Sequence, residues 1–213
     1  AGMAPDAELV LASSRADELV STLAWAHAES ASIVLWEMAT WYGEFLDGSS
    51  NLEVACDAAM DQGMLQIGAA GNLGGSLKHR VKTHAPGTEQ VPLIIPGGQA
   101  QWVLGNFLWR GAPGALAFSI TVNGATVQLS GPGGQTQVGT AMLQWYRDVS
   151  PRGTAMLLFY VASGSTLPGQ TATFSITNSG EGPVELHGYV TDSFTSWNRG
   201  VYWPVTTGGT DSG

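Results

Sequence analysis

The strongest constraint on the fold is a change in hydrophobic periodicity near Glu89. From there to residue 205, apolar and polar residues alternate in short runs that are separated by glycine- and proline-containing turns. Asn123-Gly124 is the strongest turn signal, because Asn-Gly favours the type I′ turn of a β-hairpin. The pattern predicts an antiparallel β-sandwich or jelly roll. Its candidate strands are 90–95, 101–109, 115–122, 125–130, 136–147, 154–162, 170–178, 183–191 and 200–205.

The first 75 residues have a different pattern, in which candidate strands and helices alternate. Ser50 is a candidate helix N-cap, and Gly63 a candidate helix stop. Alternation of this kind predicts a parallel sheet with right-handed crossovers. We therefore expect an α/β parallel-sheet segment followed by the all-β sandwich. The predicted strands of the first segment are 8–12, 32–36 and 64–69, and the predicted helices are 17–28 and 51–62.

These patterns divide the chain into four parts: an α/β domain at 1–75, a linker at 76–88, a β-sandwich insert at 89–205, and a return segment or tail at 206–213. The linker is predicted from a short basic patch in an acidic chain, of the kind that is usually solvated and faces acidic neighbours. The patch consists of Lys78, His79, Arg80, Lys82 and His84.

Composition narrows the classes of partner. The net charge is -9 and the isoelectric point is about 4.6, which argues against nucleic acid and anionic membranes as partners. The lone Cys56 has helical spacing with Leu52 and Met60, which favours a buried small hydrophobe over a nucleophile. The histidines lack ligand spacing and no calcium-loop motif is present, so we predict neither a metal nor another cofactor.

Asn72 is the candidate functional residue of the α/β segment. It follows the predicted strand 64–69 and lies between Gly71 and Leu73. Ligands of open α/β sheets bind at the carboxyl ends of strands, where a side-chain amide can donate to a developing oxyanion. An asparagine in such a position can also cap its own turn, so the motif alone leaves both roles open.

Four segments in order resemble the middle of the catalytic domain of subtilisin-like serine peptidases. They are AGMAPDAELVLAS at 1–13, the predicted helix at 17–29, ASIVLWEMAT at 31–40 and DAAMDQGMLQIGAAGN at 57–72. In that family a G-x-A-P turn leads into a strand and a helix, and a substrate-binding strand precedes an A-A-G-N oxyanion loop. The resemblance covers residues 1–75 and implies that Asn72 is the oxyanion donor.

The resemblance also implies a substrate pocket. Ala70 and Gly71 would form one wall of the pocket for the residue before the scissile bond. The facing wall would be the segment Glu37, Met38 and Ala39, which would pair with an extended substrate.

Glu37 departs from the small polar residue that is usual in the family. Its carboxylate either favours a basic substrate or pairs with a basic group such as Lys78 or Arg80, and the second role is the commoner one for a charged residue.

The catalytic triad of the family is not recognisable in this sequence. The family's aspartate and histidine precede the G-x-A-P turn, and its serine lies in a later G-T-S-M-A motif that this chain lacks. We therefore expect a fragment of a larger serine endopeptidase that is inactive alone. A peptide or protein substrate and an extracellular or secreted location follow from the resemblance.

Two other functions stay open. One is a catalytically dead, peptidase-like scaffold, and the other is a β-sandwich that binds glycans or proteins. The second rests on aromatic residues of the predicted sandwich, because sugars stack on exposed rings, although most strand aromatics lie in the core. The residues are Trp102, Trp109, Trp145, Trp197, Trp203, Tyr146, Tyr189 and Tyr202.

Overall fold

The computed structural model describes residues 6–15, 18–37, 40–71, 73–195 and 199–205. Within these ranges the chain forms two α-helices and twelve β-strands, most of them antiparallel. It divides into two compact units. The small unit comprises Ala1–Thr40 and Gly48–Gly71, and the sandwich unit comprises Trp41–Asp47 and Asn72–Gly213.

The small unit consists of helix α1 (Leu19–Ala28), strand β1 (Ile33–Trp36), helix α2 (Asn51–Asp61) and strand β2 (Leu65–Gly68). The two strands form a parallel pair with Ile33 opposite Leu65. At the start of α2 the Glu53 carboxylate accepts the Ser50 backbone N–H at 3.0 Å, which satisfies one of the unpaired donors of the first turn.

One face of this parallel pair packs on the helices and the other is open. Val34 and Trp36 pack against a small buried cluster that consists of Leu23, Ala26, Ala59 and Met64. On the opposite face the side chains of Ile33, Leu35, Leu65 and Ile67 are 45–68% exposed. Parallel sheets normally bury both faces, so the described part of the chain leaves this sheet half covered.

The prediction of an α/β subtilisin-like segment is wrong. The described chain is mostly antiparallel β, and its only parallel sheet has two strands of four residues each. The predicted strand at 8–12 does not form, and Leu9 and Leu11 there are exposed. A short apolar run without a pairing partner has no ladder hydrogen bonds to hold it as a strand. The assignment to the subtilisin-like family fails with this fold.

The β-sandwich character of the second region is confirmed. A six-stranded sheet has the order β3-β12-β5-β10-β9-β8, a four-stranded sheet has the order β4-β11-β6-β7, and neighbours pair antiparallel. The strands are β3 (His79–His84), β4 (Gly87–Ile95), β5 (Trp102–Arg110), β6 (Leu116–Val122), β7 (Ala125–Gln128), β8 (Gly133–Val138), β9 (Ala141–Val149), β10 (Thr154–Ser163), β11 (Gln170–Asn178) and β12 (Val184–Asp192).

A single apolar core joins the two sheets of the sandwich. Phe107 of β5 lies at its centre, with ring centroids 5.2 Å from Phe118, 5.9 Å from Phe159 and 5.0 Å from Phe174. Phe118 and Phe174 belong to the four-stranded sheet, whereas Phe159 belongs to the six-stranded sheet. The apolar residues of the period-two pattern are therefore the side chains of each strand that face the core.

Three details differ from the predicted strands. The run predicted as one strand at 136–147 forms β8 and β9, which are separated by a turn at Gly139 (φ +59°). The segment 200–205 contributes an isolated bridge between Tyr202 and Ile94 in place of a full strand. The segment 76–88, expected as a linker, contains β3, which pairs with β12.

Candidate functional site

The candidate site lies at the edge of the small unit where β1 and β2 end. Trp36 is opposite Gly68, and the Ala69 N–H donates to the Trp36 carbonyl at 3.1 Å. Because the strands are parallel, Glu37 and Ala70 leave the sheet from the same edge. This is the edge at which open sheets carry their ligand sites.

A side-chain hydrogen bond between β1 and β2 holds the two strands together next to this edge. The Trp36 indole N–H donates to Gln66 Oε1 at 2.8 Å, and Gln66 Nε2 donates to the Met64 carbonyl at 3.1 Å. Beyond β2 the chain turns at Gly71, whose φ of +89° lies in the left-handed region that favours glycine. A Cβ at Gly71 would have no neighbouring atom within 4 Å, so another backbone can approach this turn closely.

The structure brings together part of the predicted site. Glu37, Ala70 and Gly71 are exposed at one edge, as expected from their positions after parallel strands. Met38, Ala39 and Asn72 lie outside the described residues. The oxyanion role of Asn72 and the facing pocket wall stay predictions.

The basic residues considered as partners of Glu37 have other contacts within the sandwich unit. The buried Lys78 Nζ donates to the carbonyls of Arg199 and Val201, and the Arg80 guanidinium lies 5.8 Å from the centre of the Trp203 ring. Burial lowers the pKa of Lys78 to about 8, although the Asp192 carboxylate opposes this shift. These two side chains are part of the packed sandwich and not of a solvated patch.

A ladder of titratable groups on β3 and β12 was not predicted. His79 Nε2 lies 3.1 Å from His187 Nδ1, His187 Nε2 lies 3.2 Å from Glu185 Oε1, and the His79 ring stacks on Tyr189 at 4.4 Å. The sequence spacing of Glu185, His187 and Tyr189 is enough to place them on one face of a strand. Their contact with His79 could not be predicted, because it depends on the register between β3 and β12. The described residues contain no group of three His, Cys, Asp or Glu that could hold a metal ion.

Cys56 has the properties of a structural thiol. It is half-buried, and burial raises the pKa of its thiol, with further contributions from the Asp57 and Glu53 carboxylates. A raised pKa lowers the fraction of thiolate, which is the nucleophilic form. The prediction of a small buried hydrophobe is consistent with this environment.

The aromatic residues of the sandwich fall into different environments. Trp109 and Trp203 are buried in the core, and Trp197 lies outside the described residues. Trp102, Trp145, Tyr189 and Tyr202 are half-buried, whereas Tyr146 is exposed. Trp109 and Trp203 therefore cannot contribute to a binding platform on the surface.

Neither helix of the described ranges has the length and apolar character needed to cross a membrane.

Comparisons with known proteins give a likeness among solved structures. No protein-family model matches the chain, and no match was found among curated proteins. Among solved structures, the chain is similar to the structure of the Clostridium perfringens CspB protease, with a TM-score of 0.68 and 16% sequence identity. The alignment covers 91% of this chain and 44% of that one, so this chain spans less than half of the protease. At this identity the likeness shows a shared fold.

Proposed function

We propose that this chain is the substrate-binding part of a peptidase, whose nucleophile and general base lie outside the described residues. The observation that carries the proposal is the fold shared with a solved protease over 91% of the chain. Amide hydrolysis by acyl transfer would be the reaction of the complete protein.

The edge geometry supports a role in substrate binding. Glu37 and the Ala70–Gly71 turn are exposed and side by side at the ends of β1 and β2. Small residues at such a turn allow an extended peptide to approach the backbone and to pair with it as an added strand. The carboxylate of Glu37 at this edge would favour a basic side chain on the peptide.

Asn72 supplies the catalytic contribution in this proposal. It directly follows Gly71 in the sequence, and Gly71 belongs to the predicted pocket. An amide donor stabilises charge that exists only in the tetrahedral intermediate, and loss of such a donor in a serine peptidase costs about 10²- to 10³-fold in turnover.

The half-covered sheet supports the view that further chain completes the small unit. Ile33, Leu35, Leu65 and Ile67 expose a contiguous apolar face that a parallel sheet would normally bury. In a protein with the length of the similar protease, additional helices or strands would cover this face.

The test compares the 213-residue chain with the longest natural polypeptide that contains it. We expect the long form to hydrolyse peptides and to react with a serine-directed fluorophosphonate probe, and the 213-residue chain to do neither. In the long form, Asn72→Ala should lower kcat by about 10²- to 10³-fold with little change in KM. Asn51→Ala, at the exposed start of α2, is the matched control and should leave kcat unchanged.

Three results would contradict the proposal. An inactive, unlabelled long form would leave a peptidase-like binding scaffold as the function. Labelling of the 213-residue chain at a serine would show that the nucleophile lies within it. An active long form that tolerates Asn72→Ala would remove the role assigned to Asn72 alone.

A further inference from the structure

A groove on the outer face of the six-stranded sheet has no role in the proposed peptidase function. It lies over β8, β9 and β10 and encloses about 420 Å³, within the range of about 300–1,000 Å³ that is typical of small-ligand sites. The strand register places its side chains in two rows of three on one face. The rows are Gly133, Tyr146 and Leu158, and Gln135, Gln144 and Tyr160.

Two glycines of the edge strand β8 line this groove. Gly133 is opposite Tyr146, and it places no side chain beside that ring. Gly134 is opposite Trp145, and a Cβ at Gly134 would lie 2.3 Å from Trp145 Cζ2. The Trp145 ring therefore packs directly against the edge strand, where its Nε1 donates to the Ser130 carbonyl at 3.0 Å.

The groove presents aromatic rings beside amide groups. Tyr146 is 49% exposed, and Tyr160 is half-buried in the neighbouring row. Gln144 Nε2 donates to Gln135 Oε1 at 3.2 Å, and both side chains are exposed. This bond leaves the Gln144 amide oxygen as an acceptor and the Gln135 amide nitrogen as a donor, both on side chains that line the groove.

The charged residues near the groove indicate which class of ligand it can bind. Among the residues that the structure describes, no Asp, Glu, Lys or Arg lines the groove. Beside the groove, the Asp148 carboxylate accepts a hydrogen bond from the Tyr146 hydroxyl at 3.3 Å. A carboxylate beside the rings of a chain with net charge -9 disfavours anionic ligands. Flat rings with neighbouring amide donors and acceptors fit a ligand that has apolar C–H faces and a rim of hydroxyl groups.

We infer that this groove binds a neutral oligosaccharide, with one sugar ring stacked on Tyr146 and its hydroxyl groups bonded to Gln144 and Gln135. The site is independent of the edge formed by β1 and β2. It gives the sandwich unit a binding function of its own.

The experiment is isothermal titration calorimetry of the 213-residue chain with two neutral probes, cellotetraose and tetra-N-acetylchitotetraose. Sialyllactose and a hyaluronan tetrasaccharide serve as anionic comparators. We expect at least one neutral probe to bind and the anionic probes to bind at least tenfold more weakly. Tyr146→Ala and Gln144→Ala should each weaken binding of the neutral probe by at least tenfold, whereas Tyr146→Phe should keep it within threefold, because the stacking face is retained.

Matched controls lie outside the groove. Gln90→Ala removes a glutamine from the four-stranded sheet, where it bonds to Ser175, and Phe194→Ala removes another exposed ring. Both should leave the affinity unchanged, and circular dichroism should show that every variant keeps its fold. The inference is overturned if neither neutral probe binds, if the groove variants bind as the parent does, or if anionic probes or extended peptides bind in preference.

Discussion

The small unit and the sandwich unit bury their apolar residues to different extents. In the sandwich, Phe107, Phe159 and Phe174 are fully buried in a core that joins two sheets. In the small unit the buried cluster has four residues, and Leu35 and its neighbours on the sheet remain exposed. The comparison indicates that the sandwich has a self-sufficient core, whereas the small unit has a sheet with one face that needs a partner.

The largest expected effect is on the core of the sandwich. Phe107→Ala removes the ring that contacts aromatic residues of both sheets, and we expect a loss of about 3–5 kcal/mol in the free energy of unfolding. Leu35→Ala is the counterpart in the small unit, and its loss should stay below about 0.5 kcal/mol, since the side chain is exposed. Urea unfolding of both variants tests this. Equal losses would show that Leu35 is covered in solution.

A smaller effect on stability is expected at a buried amide beside the β3–β4 and β11–β12 connections, each of which passes from one sheet of the sandwich to the other. Asn178 Nδ2 donates to the carbonyls of His84 and Gly182, each at 2.9 Å, and its Oδ1 accepts the Gly180 N–H at 2.9 Å. Asn178→Ala leaves these groups without partners, so we expect a loss of about 1–3 kcal/mol in the same urea experiment. The exposed neighbour provides the control, because Ser179→Ala should change stability little. An Asn178→Ala variant with unchanged free energy of unfolding would show that water takes over the hydrogen bonds of the amide.

In the small unit, the hydrogen bond between Glu53 and the Ser50 N–H should contribute less to stability than the bonds of Asn178 do in the sandwich. Glu53→Ala removes the carboxylate that accepts the Ser50 N–H, at a cost of about 1 kcal/mol to helix α2. Hydrogen exchange of α2 amides measures this change directly, and exchange in the sandwich should not respond. Asp57→Ala, on the exposed side of the same helix, controls for loss of charge. Faster exchange throughout the chain would show that the two units unfold as one.

The smallest expected effect is a pH dependence of the stability of the sandwich unit. Burial lowers the pKa of His84, and the Glu89 carboxylate, 3.1 Å from His84 Nδ1, opposes this shift. Arg80 and Lys82 lower the pKa further. The unfolded chain therefore takes up the proton first as pH falls through about 6.5, and the stability of the sandwich decreases below that pH. His84→Gln should remove this part of the pH dependence in urea titrations, and an unchanged dependence would contradict the assignment.

The sequence predicted the sandwich better than the small unit for a physical reason. Antiparallel strands with one face in a core alternate visibly, and the predicted strand at 170–178 coincides with β11. The sequence does not predict strand β3, because a cluster of basic residues indicates a solvated linker. In the fold, the Lys78 ammonium instead donates to backbone carbonyls and the Arg80 guanidinium lies over the Trp203 ring. The α/β prediction failed because the run at 8–12 finds no pairing partner in the described chain.

The candidate sites were predictable to different degrees. Alternation of strand and helix was enough to place Glu37 and Ala70 at one sheet edge. The groove over β8, β9 and β10 was not predictable, because it depends on the turn at Gly139 that separates β8 from β9 and sets Gly133 opposite Tyr146. A prediction in which one strand is shifted by one residue would place that strand's groove side chains on the opposite face of the sheet.

Because of the short segment Trp41–Asp47, neither unit is one continuous stretch of the chain. It belongs to the sandwich unit but is flanked in sequence by the two halves of the small unit. Its buried Asp47 accepts a hydrogen bond from the Ser150 hydroxyl at 2.5 Å, and its carbonyl accepts one from Arg152 at 2.7 Å. A shortened protein that begins at residue 72 would lack these anchors. Recombination that exchanges the small unit for another must preserve a seven-residue passage of the sandwich within it.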